Sequence, residues 1–171
     1  MGVTIHYEGK LRDTAAYTAV ISAAEKYAVA RGWPAQQFST SEASLSRVKD
    51  EQDWDYVGPT KGIELQPHDN CEPVRLEFDE NLYIQEYTKT QFAPLQVHID
   101  VVGLLSALAP HFSELSIYDE GEFYESGDEL QLRRHIDHCN FALEDHLAQD
   151  KTLTGPVRLP SGRILDLVSD A

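Results

Sequence analysis

The feature that most narrows what this chain can fold into is a pair of alternating stretches separated by a turn. Val74, Leu76 and Phe78 alternate with Arg75, Glu77 and Asp79; Asp79-Glu80-Asn81 then leads into a second run from Leu82 to Thr88. A period of two on both sides of a turn predicts an antiparallel hairpin with one face on a core and the other in water. The wet face is expected to carry Arg75, Glu77 and Asp79 from one strand and Tyr83, Gln85 and Tyr87 from the other.

Three helical patterns accompany the hairpin. Tyr17, Val20, Ile21, Ala24, Tyr27 and Ala28 form one apolar stripe between Thr14 and Arg31, with Asp13 as N-cap, Gly32 as stop and Pro34 beyond it. Leu95 to Ala109 is apolar nearly all round, between Pro94 at a first helical position and Pro110. From Asp128 to Gln149, Leu132, Ile136, Cys139, Leu143 and Leu147 make a third stripe. Val3, Ile5 and Tyr7 read as a further strand, Leu115 to Tyr124 as a second hairpin about Asp119-Glu120-Gly121, Gly62 to Leu65 as a short strand, and Val157 to Leu165 as a small terminal hairpin.

The expected fold is therefore α+β: a mostly antiparallel sheet built from hairpins, with three main helices packed on one face, in a single domain over residues 1–171. Residues 33–60 and 150–171 are peripheral and weakly specified. The first of these reads as a loop or a short helix capped at Ser39-Thr40-Ser41-Glu42 and anchored by Trp33 and Trp54. Residues 4–11 and 116–123 share isoleucine, glutamate and glycine at matching places; a duplication, or turn chemistry used twice, accounts for that.

Charge bounds the partners. The 171 residues hold 29 Asp and Glu against 14 Lys and Arg, a formal net charge of -15. Binding to nucleic acid or to an anionic membrane requires clustered cations, and the longest basic cluster is Arg133-Arg134. A basic protein fits better, because complementary charge speeds encounter, while solubility alone is the plainer account of the acidity. Two cysteines make no disulfide framework, and the first residues carry neither a basic nor an apolar leader segment, so a cytoplasmic protein is expected.

Four constellations carry candidate chemistry. His98 and Asp100 lie in the apolar helix about 200° apart, so they do not face each other; His98 reads as a core histidine or as the wall of a pocket between sheet and helix. His135, His138 and Cys139 sit at helical spacings that bring them to one side, as metal ligands or as the polar border of a stripe. Asp119, Glu120, Glu122 and Glu125 form a run without cations, a solvated edge or a docking site for a basic partner. Tyr87, Lys89, Thr90 and Gln91 lead into a helix N-terminus, where ligand contact is expected.

No Gly-x-Ser-x-Gly elbow and no glycine-rich phosphate loop accompanies them. The sequence points to a non-enzymatic protein-binding module of inhibitor, immunity or adaptor type, without cofactor, docking a basic partner. The alternative is a small-molecule binder or enzyme using His98 and the Lys89 to Gln91 connector.

Overall fold

The computed structural model describes residues 2–169. Met1, Asp170 and Ala171, which the single-domain expectation also covers, lie outside the described residues. The chain runs β1 (Thr4–Leu11), α1 (Thr14–Arg31), β2 (Ala35–Lys49), β3 (Gln52–Leu65), β4 (Val74–Phe78), β5 (Tyr83–Lys89) and α2 (Leu95–Leu108). A 3-10 turn follows, then β6 (Phe112–Asp119), α3 (Phe123–Ser126), α4 (Glu129–Gln149) and four two-residue strands: β7 (Leu153–Thr154), β8 (Val157–Arg158), β9 (Ile164–Leu165) and β10 (Val168–Ser169).

Strands pair antiparallel in two three-stranded sheets, ordered β5-β1-β6 and β2-β3-β4, and the β4–β5 turn joins them. At the turn, the Asp79 amide donates to the Tyr83 carbonyl (3.0 Å). At the far end, the Glu72 amide donates to the Lys89 carbonyl (3.0 Å). Between these ends the Arg75 carbonyl takes its hydrogen bond from the buried Tyr7 hydroxyl of β1 (3.1 Å). Ile5, Tyr7 and Leu11 of β1 share one core with Ile63, Leu65, Leu76 and Phe78, covered by α1 and α2. The chain is thus an α+β domain with its helices α1 and α2 on one face.

Local chemistry explains the elements. The Asp13 carboxylate accepts the Ala16 amide (2.8 Å) and starts α1; Gly32 at φ 68° ends it. Small residues, Ala16, Ala24 and Ala28, line the buried side of α1 beside Val20 and Ile21. In α4, Leu132 alone is fully buried, while Ile136, Cys139, Leu143 and Leu147 are half-buried, so the apolar stripe is only lightly covered.

Three stretches differ from the sequence expectation. Residues 74–88, read as one hairpin with a shared wet face, divide between the two sheets, and Glu77 and Asp79 are buried, taken up by Thr60 and Arg75 and by Arg47. Residues 35–60, read as a loop or short helix, form the long β2–β3 hairpin together with the expected strand at Gly62 to Leu65. Its turn residues Asp50 and Glu51 both have positive φ (49° and 65°), as a two-residue type I′ turn requires. Asparagine and glycine normally signal that turn, and neither is present. Residues 115–124, read as a hairpin, instead pass from β6 into the short helix α3. The Asp119 carboxylate is the cause: it accepts the backbone amides of Gly121 (2.7 Å), Phe123 (2.9 Å) and Tyr124 (2.9 Å), which coils the chain instead of returning it as a strand.

The Asp119 carboxylate also accepts from His98 Nε2 at 3.0 Å, while His98 Nδ1 meets the Thr90 hydroxyl at 2.7 Å. One buried network therefore ties α2 to β6 and to Thr90, the residue just past the end of β5. Burial pushes the Asp119 carboxyl up, but the hydrogen bond and charge of His98 and the backbone amides hold it below the ordinary aspartate range. A depressed folded value means that this stabilisation is complete above the unfolded pKa of about 3.9 and is lost as pH falls through the folded one. Asp119→Ala is expected to lower the unfolding free energy by about 3 kcal/mol, the scale of one or two hydrogen bonds to a charged group. Urea titrations at neutral and acidic pH check this: the gap between variant and parent narrows as the pH drops.

Candidate functional site

Helices cover one face of β5-β1-β6, so the period of two sends every second side chain to the other face. His6 and Glu8 of β1, Tyr83, Gln85 and Tyr87 of β5, and Ser116 and Tyr118 of β6 stand there, paired in register as His6 with Tyr87 and Tyr118, and Glu8 with Gln85 and Ser116. Tyr118 is 64% exposed and Tyr87 42% exposed. The His6 ring lies between them, 5.9 Å from the Tyr87 ring and 5.7 Å from that of Tyr118. Glu8 is fixed by the Tyr83 hydroxyl, which donates to it, and by Gln85 Nε2 at 3.2 Å. Burial and the hydrogen bond to Glu8 both push the Tyr83 phenol up, so it remains a donor.

The tip of the β2–β3 hairpin forms a wall over this floor. Arg47 anchors it: the side chain is fully buried and Nη1 donates to Asp79 Oδ2 at 2.6 Å. The guanidinium also lies 4.8–5.4 Å from the ring centres of Tyr83, Tyr56 and Trp54. The carboxamide of Gln85 adds a second fastening, donating to the Val48 carbonyl (2.7 Å) and accepting the Val48 amide (2.8 Å).

Arg163, carried by the β8–β9 ribbon, closes the opposite side. It donates to the Tyr87 carbonyl (2.7 Å), to Glu86 (2.8 Å) and to Glu72 (3.3 Å), and stacks 3.9 Å over the Tyr87 ring. Burial pushes the Glu86 carboxyl above its ordinary range although Arg163 pulls it back.

Floor and walls enclose a cleft of about 650 Å³, and a second hollow of about 600 Å³ continues it past Glu8 and Ser116 towards Trp54 and Lys49. The first cleft is acidic in balance. Glu8 and Glu86 line it, with Arg163 as the cation among its lining residues; buried Glu72 pairs with Arg163, and Glu120 pairs with His6. In the second hollow Lys10 and Lys49 offset Glu8 and Glu114.

The residues singled out in the sequence fall in different places. His98 is fully buried against Thr90 and Asp119; Asp100 faces away, towards Arg31 at 3.5 Å and Gln96 at 3.1 Å. Of the connector, Tyr87 lines the cleft, Lys89 pairs with Asp166 (2.7 Å), and Thr90 and Gln91 are buried. Gln91 accepts the Val3 amide (3.1 Å) and donates to Asn140 (2.9 Å). Of the acidic run, Asp119 is internal and Glu120 accepts the Thr4 amide (3.0 Å) beside His6. Glu122 and Glu125 line a further hollow of about 420 Å³ that Tyr118 shares with the main cleft. His135 turns to Glu122 (3.1 Å), His138 is exposed and Cys139 is a half-buried free thiol. Among the described residues, no group of three or more His, Cys, Asp or Glu is placed to hold a metal ion. No described helix is long and apolar enough to cross a membrane. No family model, curated protein or solved structure matches the chain.

Sequence reasoning reached Tyr83, Gln85 and Tyr87 through their alternation and missed both arginines. Arg47 and Arg163 act across 32 and 77 residues of chain respectively, to Asp79 and Glu86, and no local pattern announces such partners. Arg47→Ala is expected to destabilise the fold by about 3–5 kcal/mol, since it leaves Asp79 buried without its cation. The accompanying sign is a red shift of tryptophan emission as Trp54 comes free of the guanidinium; a parent-like spectrum and denaturation midpoint would show that the hairpin is held by other contacts.

Proposed function

We propose that this is a non-enzymatic protein-binding module that docks a basic segment of a partner protein in the cleft over β5-β1-β6. The observation that carries this reading is the open sheet face itself: exposed tyrosines and carboxylates share one walled floor that α1 and α2 leave uncovered. Aromatic residues are enriched where proteins recognise each other. A lysine or arginine beside Tyr118 and Glu8 gains a ring face and a counter-charge together. The stacking of Arg163 on Tyr87 is the same contact made within the chain.

The acidic balance of the cleft matches the net charge of -15, so attraction begins at long range and ends at the site. Glu122 and Glu125, beyond Tyr118, extend the same field along the edge of the molecule. The buried histidine–aspartate pair supports a binding role over catalysis, because Thr90 and three backbone amides already occupy His98 and Asp119.

The test is a titration with an acetylated, amidated octapeptide alternating threonine and lysine, followed by fluorescence anisotropy, with a threonine–glutamate peptide as control. The lysine peptide is expected to bind at low ionic strength and to weaken with added salt. Glu8→Gln combined with Tyr118→Ala is expected to reduce its affinity by roughly tenfold, the combined scale of a cation–π contact and an exposed ion pair. Equal binding of the acidic peptide, or affinity untouched by the two substitutions, would sink the proposal.

A further inference from the structure

We infer that the partner segment binds as an added β-strand along the outer edge of β2, with the backbones of Ser44 and Ser46 as its hydrogen-bonding template. This inference rests on the binding role proposed above and specifies how the cleft is filled.

The argument begins with the ladder. Lys49 pairs with Gln52 across the Asp50–Glu51 turn, so in a two-residue hairpin Lys49 exchanges both its backbone hydrogen bonds with β3. Hydrogen-bonding direction alternates along a strand, so Arg47 and Leu45 also face β3 while Val48, Ser46 and Ser44 present their N–H and C=O groups to the other side. Val48 confirms the alternation, because its amide and carbonyl are both held by the Gln85 side chain (2.8 and 2.7 Å). A carboxamide offers one donor and one acceptor, as a peptide group does. This edge therefore already holds one peptide-like partner at Val48, and the next two outward-facing positions lie within the cleft.

Ser44 and Ser46 are exposed and line the 650 Å³ cleft with Leu45. The ladder shifts between Thr40 and Ala43, which ends the regular edge on that side, and Gln85 ends it on the other. The template is thus short, suited to a segment of about four residues at about 3.3 Å each. Alternate side chains of an added strand turn to one face, and here one set faces the floor of Glu8, Tyr87, His6 and Tyr118. Backbone pairing supplies affinity without sequence preference, and the floor selects for cationic side chains. A second copy of this chain is the poorer occupant, because each copy brings a net charge of -15.

The experiment uses the isotope-labelled 171-residue chain and two probes: the threonine–lysine octapeptide, and the same peptide N-methylated at every second residue. The expected result is slowed hydrogen exchange of the Ser44 and Ser46 amides with the first peptide, and binding of the methylated peptide weaker by about tenfold through loss of one or two hydrogen bonds. Ser46→Pro is a second arm. The Ser46 amide does not enter the β2–β3 ladder, and proline is tolerated on edge strands when the lost donor faces outward. The variant is expected to fold and to bind the unmethylated peptide about tenfold less tightly, by the same loss; if it fails to fold, the methylated peptide decides alone. Shifts at His6, Tyr87 and Tyr118 with unchanged exchange at Ser44 and Ser46 would overturn strand addition and leave the basic-segment reading standing. Absence of shifts over the whole floor would overturn both. Protection at Ser44 and Ser46 that rises with protein concentration alone would assign the edge to a second copy and overturn the inference.

Discussion

The cleft exists because a guanidinium is buried. Removing Arg47 from water costs several kcal/mol, and the protein offsets that with a carboxylate at 2.6 Å, the Tyr83 carbonyl at 3.4 Å and three aromatic rings. Among the described residues its Nε has no hydrogen-bond partner. A pair made on these terms contributes position more than stability: it fixes where a long, polar hairpin comes to rest. The two oxygens of Asp79 divide the work. Oδ1 accepts the amides of Asn81 (2.8 Å) and Tyr83 (3.1 Å) and shapes the β4–β5 turn, while Oδ2 holds Arg47. The turn that joins the two sheets and the contact that lays one over the other are set by a single side chain.

Asp119 and Glu72 repeat that use of a carboxylate. Asp119 gathers three amides and His98; Glu72 accepts the amides of Lys89 and Ile164 (2.9 Å each) and meets Arg163. All three acids are buried. Part of the chain's acidity is therefore architecture, spent on backbone donors that would otherwise lack acceptors. This changes the meaning of the net charge. An acidic residue in the sequence does not mark an exposed charge, as Asp119 demonstrates within the run to Glu125. What counts for the partner proposed above is the subset left facing solvent around Tyr118.

The legible parts of the fold were those whose signals are local. The cap at Asp13 and the stop at Gly32 bounded α1, alternation revealed β4 and β5, prolines framed α2, and the Pro160-Ser161-Gly162 turn marked β8 and β9. The hidden parts lacked such signals. Most residues of β2 are exposed or half-buried, so no apolar face prints a period of two on the sequence, and its turn is made by Asp50 and Glu51. At 119–124 the local composition suited a hairpin equally well, and the outcome depended on His98, distant in sequence, fixing the aspartate. For the site, the floor residues of β5 were legible because alternation assigns a face; the walls were not, because a wall is made by segments meeting across the chain.

An open sheet face beside a free strand edge is a hazard in most proteins, since both invite unwanted pairing. Here the two lie together and are guarded by the same devices. The tyrosines are partly covered by His6 and Arg163, the β2 edge is polar and ends against Gln85, and negative charge comes from Glu8 in the cleft, Glu120 beside His6 and Glu122 in the hollow beyond Tyr118. On the binding role proposed above, such a guard repels other copies of this acidic chain and other acidic proteins, yet it does not repel a cationic strand. Selectivity of that kind would require no covering element, which is how the proposed role fits a chain that walls its sheet with a hairpin without closing it.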